Sequence, residues 1–439
     1  MSVTRRRLDA GLLWRRARAS AFARNVAILT SGAAIGHALT ALAAPALSRL
    51  YDPAQFGLLA LFTAVISILS EAASWRYGLA VVLPAADEEA ANLLALASLI
   101  VVGMAAFALL AVALGGRWAA EALDSPELAA YLWWTPVALL SIGAAHNFSY
   151  WATRKKAFGR ISVSQITRSA GAATAQIAGG LLGAGTGGLV GGRVTGEASA
   201  AVALGWQVLR ADGRDITRAV SRRRMREVSR QYSDFPRFSL PQGLINAVSQ
   251  SVPVFLLAHY FDTQVVGLYA MAHRLLQLPA RFVGQAVRQV FLQQANEAHL
   301  RGFPLFPLAA RATLGLAALG ILPAAAILIF GPRLFGFLLG PEWVATGGYA
   351  RWMILWLFFA FINPPATALT QILRRQQLLL VFDIVLLVSR TALLVIGGLY
   401  YSAMTSVALF SVTGAVLNAG LIAGMLLYSR RARTGLARG

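Results

Sequence analysis

No cysteine occurs in the sequence, which excludes disulfides, thiolate metal sites and thiol nucleophiles and leaves the redox compartment unmarked. Charge is scarce too. Only 13% of the 439 residues are charged while 57% are hydrophobic, about half the charged fraction of soluble domains. Acids are the rarer sign, 18 against 39 basic residues, and the five histidines are scattered without metal-ligand spacing. The chain also lacks any interruption wide enough for a soluble domain. Apolar stretches of about 20 residues, the length that spans a bilayer, recur from Asn25 to Tyr428. A glycine-rich run from Gly179 to Gly192 has no P-loop lysine and follows a predicted helix, so it implies close helix packing and a tight turn, not nucleotide binding. No cofactor or metal is implied.

What is present is arginine, and its placement carries the topology. A net charge of +21 would suggest nucleic acid in a soluble protein, but here the charges flank apolar spans. Helices are expected at about Asn25–Leu47, Gln55–Leu83, Ala90–Leu114, Leu128–Ala152, Ile161–Leu182 and Gly187–Leu209. A second set is expected at about Phe238–Phe261, Val265–Leu292, Leu305–Phe330, Gly347–Leu373, Leu378–Leu399 and Ser402–Tyr428. With the N-terminus inside, 27 of the 39 basic residues fall in cytoplasmic segments and only Arg49, Arg117 and Arg333 in periplasmic ones. The acidic turn Asp87-Glu88-Glu89 is a weak exception. The motif Ala41-Leu42-Ala43 resembles a signal-peptidase site, but cleavage there would break this parity, so the first span is read as uncleaved.

The longest charged connection divides the chain near its middle. Residues 51–61, Tyr-Asp-Pro-Ala-Gln-Phe-Gly-Leu-Leu-Ala-Leu, align with residues 261–271, Phe-Asp-Thr-Gln-Val-Val-Gly-Leu-Tyr-Ala-Met, with Asp, Gly, Leu and Ala identical. Each copy opens the second helix of its half, the mark of a parallel repeat. The expected fold is therefore an all-α integral membrane protein of about 12 transmembrane helices, in two parallel-repeat six-helix bundles around a central cavity. Its parts are a basic N-terminus (1–24), a first bundle (25–209), a basic linker (210–237), a second bundle (238–428) and a basic tail (429–439).

Arg49-Leu50-Tyr51-Asp52-Pro53 with Phe56-Gly57, Ser74-Trp75-Arg76-Tyr77 running to Pro84, Tyr232-Ser233-Asp234-Phe235-Pro236, Gly267-Leu268-Tyr269 and Arg274-Leu275-Leu276-Gln277-Leu278-Pro279 together give the chain a family likeness. Over nearly its whole length it resembles the oligosaccharide flippases of the multidrug, oligosaccharidyl-lipid and polysaccharide exporter superfamily, which translocate O-antigen and exopolysaccharide units. The resemblance implies residence in the bacterial inner membrane with both termini cytoplasmic, a polyprenyl-diphosphate-linked oligosaccharide as cargo, and drive by an ion gradient or membrane potential. In one respect the chain departs from the family pattern: Gly78 stands where an acid often follows the Arg-Tyr pair, which removes one charge partner for Arg76.

Nine arginines lie inside predicted spans: Arg76, Arg168, Arg193, Arg274, Arg281, Arg288, Arg311, Arg351 and Arg390. Only Glu71, Glu197 and Asp383 oppose them. Each arginine at the bilayer centre costs roughly 2.5–3.5 kcal/mol on insertion scales, so these side chains should face protein or water. An interior rich in guanidinium suits an anionic diphosphate, whose oxygens it matches bidentately. Arg274, Arg281 and Arg288 recur every seven residues and share one helix face over about 21 Å. They are the first candidates for substrate contact, with Arg76 and Arg168 meeting cargo from the cytoplasmic side. Snorkelling to the interface is the structural alternative for Arg288, Arg76 and Arg168, and bonds to backbone carbonyls are the alternative for Arg274 and Arg281. Arg193 and Glu197, four apart, read as a structural ion pair. Asp383 is the candidate for ion coupling by H+ or Na+, against a bland role as a charge held by Arg374 or Arg375.

These observations favour a flippase serving polysaccharide or lipopolysaccharide biosynthesis by alternating access, with membrane lipids and other glycan-assembly proteins as its surroundings. A drug or metabolite exporter of the same superfamily is the nearer alternative, disfavoured by three acids against nine arginines. A membrane polymerase or ligase would resemble families with a large catalytic periplasmic loop, and the connections near Gly115–Glu127 and Gly331–Thr346 are short and lack histidine.

Overall fold

The computed structural model describes residue 28 and residues 30–373 and 375–436, without the side chains of 278–290, 293, 376 and 431–436. Helices and turns make up the described residues, with no strand among them. Twelve long helices are seen: α1 (30–50), α2 (Pro53–Ala72), α3 (Asp87–Ala122), α4 (Thr135–Arg154), α5 (Phe158–Leu181), α6 (Gly185–Ala219), α7 (Leu240–Tyr260), α8 (Thr263–Leu300), α9 (Leu305–Leu339), α10 (Val344–Ile362), α11 (Gln376–Tyr400) and α12 (Ala403–Leu436). A linker helix, Arg222–Gln231, lies between α6 and α7. Among the described residues six helices are long and apolar enough to cross a membrane by length and composition alone, and two of them, α9 and α11, keep most of their side chains on the surface. Apolar side chains turned outward along a whole helix have a stable environment only in lipid.

Three expected spans are interrupted, the one from Leu128 to Ala152 by a turn at Trp133 and Trp134 that separates a short helix, Leu128–Leu132, from the longer one that begins at Thr135. The expected helix from Gln55 to Leu83 ends at Ala72, and only the short turn Tyr77–Ala80 follows, because Trp75 and Arg76 adopt left-handed backbone angles (φ 47° and 64°). No L-residue in that region continues an α-helix. The expected helix from Gly347 to Leu373 breaks at Asn363, where Pro364 and Pro365 begin a separate helix, Pro364–Ile372. Proline lacks the donor that would continue α10, and Asn363 is fixed instead by donating to Asn418 Oδ1 at 2.8 Å.

The chain forms two compact units. One contains 62–119 and 127–248 with the described part of α1 up to Ala44. The other contains 45–61, 120–126 and 249–436. In the first unit α5 and α6 pack closest, with a tight turn at Gly183 and Gly185, both of positive φ. A Cβ on Gly192 or Gly196 would collide with Gln176 or Ala172, so the glycine run serves close helix approach. On the same unit, Arg154 and Lys155 at the end of α4 bond Asp87 at the start of α3 at 2.9 and 2.6 Å. The Lys155 bond, then that of Arg154, holds the Asp87 carboxyl below the usual aspartate range.

The second unit explains the sequence repeat. Asp52 caps α2 by accepting from Gln55 N–H at 2.8 Å, and Asp262 caps α8 by accepting from Val265 N–H at 2.7 Å. Gln55 returns a bond to Asp52 N–H at 3.2 Å, a capping box. Two residues on in the shared motif, Gly57 and Gly267 let α2 and α8 cross backbone to backbone. A Cβ on Gly57 would overlap the Thr263 carbonyl, and one on Gly267 would overlap the Pro53 carbonyl. Pro53 and Thr263 are themselves repeat-equivalent, so the crossing is symmetric. Leu58 and Leu268, the third identical pair, are both buried. Trp343 closes this end, fully buried, donating to Ser48 O at 2.9 Å and packing edge-on against Phe56.

Candidate functional site

Within the first unit, α2, α4, α5 and α6 enclose a cavity of about 160 Å³. Helix α2 contributes Thr63, Ser67 and Ser70, spaced four and three so that all face one side. Helix α4 adds Ala138, Ile142 and His146, α5 adds Arg168, and α6 adds Arg193, Val194 and Glu197. The chemistry is concentrated on the α5–α6 side. Glu197 is buried, and its two oxygens meet Arg193 at 3.0 Å and Arg168 at 3.8 Å, while both arginine side chains stay more than 40% exposed. One buried carboxylate thus fixes two arginines without covering them, leaving donors free to meet an anion.

Arg76 belongs to the same neighbourhood, since it, Arg168 and Glu197 all act electrostatically on His146. The missing acid after the Arg-Tyr pair is replaced by Glu71, which forms an ion pair with Arg76 across the broken end of α2. An acid at Gly78 would require Asn147 to move, because a Cβ there would stand 2.5 Å from its Oδ1. Asn147 is fully buried, and neither of its amide atoms, nor Arg76 Nε, has a hydrogen-bond partner among the described residues. These unpartnered polar groups lie where the α2 backbone departs from helical form.

The remaining sequence candidates lie in the second unit. Arg274 is half-buried on α8, between His273 and the nearby Gln277, whose Nε2 is 2.6 Å from His273 Nε2. The backbone of α8 is helical through Arg281 and Arg288, so the seven-residue spacing keeps the three Cα positions on one face. The side chains of Arg281 and Arg288 lie outside the described residues. Asp383 is exposed on α11 and makes no ion pair among the described residues. Arg375 instead donates to Tyr428 OH at 3.1 Å and stacks on its ring, and Arg374 is outside the described residues. Arg390, two turns beyond Asp383, sits between Trp356 and Phe410, its guanidinium carbon 4.2 and 3.6 Å from the ring centroids. Arg351 donates to Ile329 O at 2.6 Å. Both have structural partners, which accounts for two of the nine arginines without invoking cargo.

Sequence reasoning missed His146 and the hydroxyls of α2. The hydroxyl stripe was readable, as Thr63, Ser67 and Ser70 are polar positions at helical spacing in an otherwise apolar helix. His146 carried no such signal.

Residues 46–347 match a family model described as polysaccharide biosynthesis protein. No curated protein matches the sequence. Among solved structures, an inward-facing multidrug resistance MATE family transporter of the MOP superfamily matches at 13% identity and TM-score 0.63, covering 94% of this chain and 98% of that one. The lipid II flippase MurJ in an inward closed conformation matches at 13% identity and TM-score 0.67, with 92% and 87% covered. A MATE structure in complex with MaD5 matches at 18% identity and TM-score 0.59, with 95% and 97% covered. At these identities the likeness is one of fold: an all-α, multi-pass membrane protein of about twelve helices.

Proposed function

The chain belongs to the polysaccharide biosynthesis protein family, and from that premise we propose that it is a secondary transporter that flips a polyprenyl-diphosphate-linked oligosaccharide from the cytoplasmic to the periplasmic leaflet of a bacterial inner membrane. The observation that carries this reading is the pair Arg168 and Arg193, held by one buried carboxylate with their outer faces open to a polar cavity. A diphosphate is an anion with oxygens enough for both guanidinium groups. A cationic drug would need a free carboxylate in that cavity, and Glu197, the acid that lines it, already faces two arginines. In the second bundle the reading assigns substrate contact to Arg274, Arg281 and Arg288, and ion coupling by H+ or Na+ to Asp383.

The test is transport of a fluorescent polyprenyl-diphosphate sugar in proteoliposomes. Arg168→Ala should lower transport about tenfold or more, the equivalent of ~1.5–3 kcal/mol for a bond to a charged group, while Arg168→Lys keeps the charge, loses the planar fork and shows an intermediate loss. Normal transport by a normally abundant Arg168→Ala would remove the cavity from the substrate path. In the same vesicles Asp383→Asn should abolish the response to an imposed pH or sodium gradient, and an unchanged response would exclude that carboxylate.

A further inference from the structure

The linker contains arginine at positions 210, 214, 218, 222, 226 and 230, an unbroken series at a spacing of four. The first three end α6 and the last three lie on the linker helix, the two rows being separated by extended backbone at Val220 and Ser221. All six are exposed, and none makes an ion pair or side-chain hydrogen bond among the described residues. Steps of four drift by only about 40°, so each row of three occupies one helix face. Of the acids nearby, Glu227 pairs with Arg223, Glu88 with Arg224 and Asp212 with Arg160, while Asp215, beside Arg214 on α6, makes no ion pair among the described residues and leaves that row with more cations than acids.

Such rows oppose the helices that carry them. Like charges four apart repel, and Arg222 to Arg224 at the N-terminus of the linker helix face the positive end of its dipole. The helix forms because its other face is fixed. Val228 is buried, Ser221 caps the first turn and donates its N–H to Asn92 Oδ1 at 2.9 Å, and Tyr77 OH donates to Ser229 O at 2.8 Å. A firmly docked helix thus holds a row of uncompensated cations outward.

We propose that the two arginine rows dock on the anionic phospholipid headgroups of the adjacent leaflet. Position argues for lipid over any other polyanion. Trp206 and Leu209 are exposed one turn or less before Arg210, and Phe238 is exposed directly after Arg237, so lipid-facing side chains bracket the linker and hold it at headgroup depth. The attraction of each arginine to an anionic leaflet is roughly twice or more the repulsion of one like-charged pair at this spacing, so the lipid offsets the repulsion. The surface lies outside the cavity, and the inference stands whether or not the cargo is a diphosphate lipid.

The full chain, reconstituted into nanodiscs of phosphatidylcholine with a rising fraction of phosphatidylglycerol, provides the test through the lipids retained on extraction. Wild type should enrich phosphatidylglycerol, and the triple variant R222Q/R226Q/R230Q should reduce that enrichment roughly fivefold or more at low salt, with a smaller difference at high salt. In pure phosphatidylcholine the variant should be at least as heat-stable as wild type, because its helix has lost the repulsion, which separates lost docking from misfolding. Equal enrichment by wild type and variant would overturn the proposal. So would a preference confined to added polyprenyl diphosphate or RNA, which would assign the rows to cargo or to another polyanion.

Discussion

Glu197 shows how one residue sets what a cavity can bind. A carboxylate 3.0 and 3.8 Å from two guanidinium groups competes for them with any anionic ligand, yet it also fixes where they point. The two roles separate on substitution. Glu197→Gln keeps a hydrogen-bond acceptor of the same shape and removes the charge, so affinity for pyrophosphate measured by calorimetry should rise, on the order of tenfold for ~1.4 kcal/mol of relieved competition. Weaker binding by a folded variant would mean that positioning outweighs competition. The same scale shows why the missing acid at Gly78 does not strand Arg76. Glu71 reaches it from the preceding helix end, a partner five residues away that only the left-handed turn at Trp75 and Arg76 makes available. Sequence spacing on an ideal helix could not reveal it.

Helices were legible because bilayer thickness imposes their length, and the count of about twelve follows from apolar runs and the bias of arginine between connections. Breaks in helices were less legible. Pro364-Pro365 announces its own, but nothing in Ser74-Trp75-Arg76-Tyr77 signals two left-handed residues. The repeat was visible as four identities, and its cause only in the structure: Asp52 and Asp262 are caps, while Gly57 and Gly267 are the crossing point of α2 and α8. Alanine normally stabilises an exposed helix interior relative to glycine by up to about 1 kcal/mol. At Gly57 or Gly267 the added methyl has backbone in its place and the partner cannot yield as a side chain would, so the sign reverses. Gly57→Ala and Gly267→Ala should each lower stability by about 1–3 kcal/mol, while Gly315→Ala on α9, where a Cβ meets nothing, should not. Thermal melting in detergent checks this, and an unshifted Gly57→Ala would show that the helices do not need this approach. The arginine ladder illustrates the opposite limit: the α8 backbone is helical across its three positions, but a shared face does not by itself establish which side chains meet the cargo.

If the whole molecule works by the proposed alternating access, contacts joining elements of the two sequence halves at one membrane face must break during the cycle. One such contact lies in the second unit, where His259 at the end of α7 meets Asp124 in the short segment after α3. Both side chains are about half exposed, so the pair contributes little stability as a surface ion pair and is easily released. Because the natural chain has no cysteine, the double variant Asp124→Cys/His259→Cys offers a single reactive pair in an otherwise unreactive background. If this contact opens and closes in each cycle, a short bifunctional thiol reagent should link the pair, stop transport in proteoliposomes, and release it on reduction, while either single variant treated alike keeps its activity. Efficient linkage with undiminished transport would show that 120–126 and the end of α7 travel together, and the parting of the halves would then have to occur at another contact.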